Sequence, residues 1–172
     1  MSRVVVPLLL LALAAGCQGG EGEPSVANTA APTAHYVGAD GVQLRVPAGW
    51  YESPTGSSAV SDPVVRLAVS SAPIRPQASD CQATAFALAD DAVAIVVLEW
   101  LNSRSTLRVR PQSFSKGMLP LHEGSVECFD GPAAGIQFVD GARAFAAFLL
   151  LGKDAPAQLA DRARVVLDTL RV

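Results

Sequence analysis

The chain has 172 residues, with 13 Lys or Arg against 16 Asp or Glu, for a net charge of -3. Half of the residues are hydrophobic, enough to build one folded domain and too many for an intrinsically disordered chain. The acidic balance excludes the strongly basic footprint that nucleic-acid binding calls for.

Residues 1–16 read as a signal peptide. Arg3 supplies the only early positive charge, an apolar run follows over 4–15, and small residues lead into Cys17. The run is shorter than the roughly 20 apolar residues of a bilayer-spanning helix, and Pro7 interrupts it. Leu13-Ala14-Ala15-Gly16-Cys17 resembles a bacterial lipobox, where a signal peptidase cuts before a lipid-modified cysteine. Ala14 stands where Leu is more usual. The resemblance implies that Cys17 becomes the mature N-terminus and that its acyl chains hold the protein to the cell membrane, outside the cytoplasm. Two or more chains anchor stably, whereas one holds only marginally. The alternative is an ordinary cleaved signal, with Cys17 an unmodified thiol.

The stretch 18–34 is built of small and polar residues with one larger aliphatic, Val26. It cannot bury enough apolar surface to offset its ordering entropy, so 17–34 is expected to be a lipidated cysteine and flexible tether. As a random coil it would hold a domain on the order of 20 Å from the membrane. Three cysteines in an exported protein leave one over. With Cys17 assigned to lipid, Cys81 and Cys128 are expected to form a disulfide in an oxidising compartment. It would close a loop of about 48 residues and contribute roughly 4 kcal/mol. Two separate buried thiols are the alternative.

A single globular domain is expected over 35–172. Alternation predicts strands over 42–46 and 64–70, the latter with Val65, Leu67 and Val69 on one face. Asp80 is placed to cap a short Ala-rich helix over 81–88. The apolar, β-branched run 92–100 suits a strand buried on both faces. A weaker strand over 107–110 is stopped by Pro111 and followed by a long loop over 112–124 and a short strand over 125–129. Asp140-Gly141 between apolar runs predicts a type I′ hairpin that sets Phe138 across from Arg143 and Ile136 across from Phe145. A C-terminal helix follows, capped by Asp154 with Pro156 in its first turn. Leu159, Ala163, Val166, Leu167 and Leu170 form its buried stripe, and Arg164 and Asp168 are spaced for an i,i+4 pair.

These elements predict an α+β fold. An antiparallel sheet of about five to seven strands is covered by the C-terminal helix and the shorter one, since a strand apolar on both faces needs a layer on each side. Val42-Gln43-Leu44-Arg45-Val46-Pro47-Ala48-Gly49-Trp50 and the final strand–helix pair resemble the α/β/α sandwich of PsbP-like domains. The chain also looks like secreted actinobacterial proteins of unknown function. The resemblance implies a fold and carries no catalytic residue across.

Candidate chemistry is sparse. Ser113-Phe114-Ser115-Lys116 fits S-x-x-K, in which a lysine amine helps deprotonate a serine on the same helical face. Here it lies between Pro111 and Gly117, a poor place for a helix, and no Ser-Asp-Asn or Lys-Thr-Gly accompanies it. His122-Glu123 with Glu127 could suggest a metal, but no second His is near, and a solvated loop is the plainer account. His35 sits at the domain edge. No Cys/His cluster has zinc spacing, and no P-loop, dinucleotide or G-x-S-x-G pattern occurs, so neither metal nor cofactor is expected. Glu99, beside Trp100, reads as a rim carboxylate or the partner of an Arg.

Arg104, Arg108, Arg110 and Lys116 form a run of basic residues without an acid, either a solvated loop or a face towards anionic lipid or wall polymer. The sequence favours a non-enzymatic lipoprotein. It would bind an envelope protein, wall polymer or small ligand, with Trp50, Tyr51 and Trp100 as candidate contacts. An envelope hydrolase using Ser113 and Lys116, or His122 and Glu123, is the alternative.

Overall fold

A computed structural model describes residues 33–53, 61–74, 87–102, 107–122, 124–127 and 129–172. Cys17, Cys81, Cys128, Glu123 and Arg104 lie outside them, as do the expected signal peptide, most of the tether and nearly all of the helix expected over 81–88. The chain starts with a two-stranded ribbon, β1 (His35–Val37) against β2 (Leu44–Val46). A seven-stranded sheet follows: β3 (Tyr51–Glu52), β4 (Val64–Ser70), β5 (Val93–Trp100), β6 (Arg108–Val109), β7 (Leu119–Leu121), β8 (Ala133–Asp140) and β9 (Arg143–Leu151). Its order is β3-β4-β5-β9-β8-β6, with β7 also paired to β8. Two helices complete the described chain, α1 (Phe114–Gly117) and α2 (Ala157–Leu167).

The apolar run behind β5 behaves as its composition dictates. Val93 to Leu98 are all buried, between β4 on one side and β9 on the other. Because side chains alternate across a strand, Val93, Ile95 and Val97 enter one core and Ala94, Val96 and Leu98 the other. The first core also takes in Val37, Leu44 and Val46 of the ribbon and Ala163, Val166 and Leu167 of α2. At its far end Phe114 meets Phe138 edge-on at 5.2 Å, and Phe138 stacks on Phe145 at 5.4 Å. Each such ring contributes about 1.5–3 kcal/mol by burial. The second core is smaller, with Ile74, Leu88, Val126 and Phe129 packed on the opposite face of the sheet.

Several expectations need correcting. The sheet is mixed, since β6 runs parallel to β8 while every other pairing is antiparallel. A bulge between Val65 and Leu67 puts Val65 opposite Leu98 and into the second core, while Leu67 and Val69 stay in the first. The hairpin turns at Gly141-Ala142 with Asp140 paired to Arg143, so Phe138 faces Phe145 and Ile136 faces Ala147. Gly141 has φ 58 and Ala142 does not share a positive φ, which is the pattern of a type II′ turn. That shift moves each partner by two residues, so every side chain keeps its expected face. Residues 125–127 form a turn and not a strand, whereas the expected loop contains both α1 and β7. Pro156 itself occupies the N-cap of α2, and Asp154 makes no capping bond. Leu159 is only partly buried but packs against the first core, Ala160 is buried as well, and Arg164 pairs with Asp161 at 2.8 Å, leaving Asp168 free to reach elsewhere.

Candidate functional site

The outer edge of β8 is covered in two pieces. β7 pairs with Ala133 to Gly135, and β6 pairs with Phe138 and Val139. Ile136 and Gln137 lie between the two, and an open groove of about 330 Å³ forms there. Two prolines lie in the segments that flank it. Pro111 follows β6 and Pro120 sits within β7, where its missing N–H is tolerated only because β7 is an edge strand.

Gly135 lines the groove. A Cβ there would come within 2.9 Å of Leu121 Cδ1 and 3.0 Å of Phe148 Cδ1, so these side chains lie close over the strand and would have to shift to admit one. Leu107, Leu119, Leu121, Ile136 and Phe148 give the groove its apolar walls. Arg108, Ser125 and Gln137 supply its polar atoms, and no carboxylate is among the described lining residues. Leu119 at 60% and the adjacent Val109 at 80% exposure extend the apolar surface around its mouth. The arrangement suits an apolar body with an anionic or hydrogen-bonding end.

The other sequence candidates lie elsewhere. Ser113 forms the N-terminal boundary of α1 in extended backbone, and Lys116 lies in the helix's single turn. The Ser113 hydroxyl donates to Asp168 at 3.2 Å and shares a 2.7 Å hydrogen bond with the Ser115 hydroxyl. The Ser115 amide donates to the same carboxylate at 3.0 Å. Burial acts to raise the Asp168 pKa. The Ser115 amide and hydroxyl, the Phe114 amide and the Ser113 hydroxyl outweigh it and hold the carboxyl below its ordinary range. A carboxylate stabilised in this way is a weak base. The contact ties α1 to the end of α2, which is a structural use of Ser113.

His122 is exposed just after β7. Among the described residues no three His, Cys, Asp or Glu side chains gather as a metal site. His35 lies in β1, with Nδ1 3.2 Å from the Thr33 carbonyl oxygen. Trp50 is buried in the first core and offers no contact surface, while Tyr51 and Trp100 are half-buried.

The expected basic face is divided. Arg110 pairs with Asp140 at 3.1 Å, donates to the Leu170 carbonyl and lies 5.6 Å from the Phe114 ring centre. Its charge is used inside the fold. Of the described members of that run, Arg108 alone borders the groove.

A charged cluster that the sequence only hinted at closes the end of the first core. Glu99 is 6% exposed, and its carboxylate accepts from Arg143 at 2.7 and 2.8 Å and from Arg66 Nε at 2.6 Å. Arg66 also donates to Asp40, whose φ of 51 suits a short polar side chain, and Arg143 lies 4.9 Å over the Phe145 ring. Arg66 is the extra residue of the β4 bulge, which aims it at the face that Glu99 occupies. The fork from Arg143 lowers the Glu99 pKa most. Burial opposes it, and Arg66 adds to the lowering.

No protein-family model, curated protein or solved structure matches the chain. Among the described residues no helix is long and apolar enough to cross a membrane.

Proposed function

We propose that the protein is a lipid-anchored, extracytoplasmic binding domain, held to the membrane by acylated Cys17 and binding a small apolar anion at the β8 edge. The groove carries this reading. Its 330 Å³ is at the small end of ligand sites, its walls are aliphatic with one aromatic ring, and Arg108 is the single charged residue among its described lining. A slot of that size admits a small molecule more readily than a packed helix. The S-x-x-K serine, by contrast, is engaged by Asp168 and Ser115, so binding is favoured over hydrolysis.

The same reading includes a Cys81–Cys128 disulfide. Ile74 and Leu88, on either side of Cys81, pack in one cluster with Val126 and Phe129, on either side of Cys128. It also includes a PsbP-like relationship of fold, supported by a sheet packed on both faces and closed by a strand–helix pair.

The probe is 1-anilinonaphthalene-8-sulfonate, an apolar anion whose fluorescence rises on leaving water. It is expected to bind the folded protein, with at least tenfold loss in Arg108→Glu and in Leu119→Asp. Both side chains are exposed, so neither change disturbs the core. Equal binding by both variants and the unaltered protein would remove the groove as the ligand seat.

A further inference from the structure

We propose that the surface around the start of the folded part is a docking face for an anionic lipid bilayer. The proposal rests on the reading of Cys17 as the anchor and names the side of the domain that meets the membrane. Tyr36 and Arg45 are direct cross-strand partners on the outer face of the ribbon, alternate to the buried Val37, Leu44 and Val46. The chain end joins them there. Arg171 bridges to Gln43, and its guanidinium lies 5.0 Å from the Tyr36 ring centre.

Helix α2 borders the same surface. Arg162 and Val165 line a shallow groove of about 280 Å³ together with Arg45 and Ala34. Ala34 is where the tether leads into the domain. Tyr36 is 48% and Val165 64% exposed, an aromatic and an aliphatic side chain among three cations.

Three cations without an ion pair gather on this face, whereas Arg108 and Lys116, the other described cations without one, lie at the β8 groove and in α1. Arg66, Arg110, Arg143, Lys153 and Arg164 each pair with a carboxylate. Among the described residues no carboxylate pairs with Arg45, Arg162 or Arg171, and the groove they border has no acidic lining residue. A protein of net charge -3 thus presents, beside its expected tether, three guanidinium groups that no described carboxylate pairs with. Guanidinium groups bind phosphate oxygens in a fork, and an aromatic and an aliphatic side chain between them suit the headgroup layer. The tether is long enough for this contact, since 16 residues reach roughly 50 Å when extended and on the order of 20 Å as a coil. Acyl chains would keep the face within that distance of the bilayer, so weak contacts are populated by effective concentration.

The test uses the chain from residue 17 onward with Cys17→Ser, which has no acyl group, sedimented with vesicles. Phosphatidylcholine vesicles containing phosphatidylglycerol are expected to retain it at low salt and to release it as salt rises, while phosphatidylcholine alone does not retain it. Arg45→Glu with Arg162→Glu is expected to weaken retention at least tenfold, and Lys116→Glu to leave it unchanged. Retention that ignores lipid charge, or survives the double reversal, would overturn the docking face. Acyl mass on Cys17 in native protein, read separately, then shows whether the anchor stands without it. Phosphatidylglycerol-dependent retention alongside an unacylated native Cys17 would keep the docking face and remove the anchor.

Discussion

At the scale of single residues, Glu99 carries the largest individual stake. It is buried at the end of a hydrophobic strand and held by two guanidinium groups, so removing its charge leaves both arginines poorly matched. Glu99→Gln is expected to cost about 3 kcal/mol, read as a lower urea midpoint at neutral pH. The pH dependence follows from the lowered pKa. A carboxyl that ionises more easily when folded contributes stability that is complete above its unfolded value of about 4.3. That contribution fades as pH falls through the still lower folded value. The difference in stability between the natural protein and Glu99→Gln should therefore shrink below about pH 4, and a difference constant down to pH 2 would contradict the assignment.

Composition hinted at this residue, because a carboxylate ending a strand of Val, Ile and Leu needs a cation. It could not name the partners, since Arg66 reaches Glu99 only through a bulge and Arg143 only through the β5–β9 register. Asp168 shows the opposite. Its i,i+4 spacing from Arg164 was plain, yet several donors around α1 outcompete one half-buried cation.

At the scale of elements, long patterned segments were legible and short ones only in part: the strands within 42–46 and 107–110 were read, α1 and β7 were not. β4, β5, β8, β9 and α2 follow from apolar runs and periodicities long enough to exclude other structures. The strands β6 and β7 have two and three residues, and α1 has four, so their existence depends on the edge of β8 and on Asp168 more than on local sequence. The groove was invisible for that reason, since it lies between two short strands that meet one long one. Gly135 in an otherwise apolar strand was its one local signal.

The proposed disulfide belongs at this scale, because it would tie the two segments that pack on the second core. Cys81→Ser with Cys128→Ser, or reduction by dithiothreitol, is expected to lower stability by roughly 4 kcal/mol. Chemical denaturation with and without reductant reads this directly. Identical midpoints would mean that the cysteines stand apart.

At the scale of the whole molecule, the apolar groove and the face that carries Arg45, Arg162 and Arg171 occupy different surfaces. The groove opens at the β6–β7 edge of the sheet, and the cationic face surrounds the start of the domain. A domain tethered beside its cationic face can rest on the bilayer and keep a separate edge for its ligand. That division of labour depends on the anchor, which makes Cys17 the claim on which the rest stands. Intact-mass spectrometry of protein extracted from membranes with detergent tests it most directly. The account predicts a mature chain beginning at Cys17 and carrying the added mass of two or three acyl chains. A chain that begins elsewhere, or an unmodified Cys17 on protein free in the soluble fraction, would contradict it.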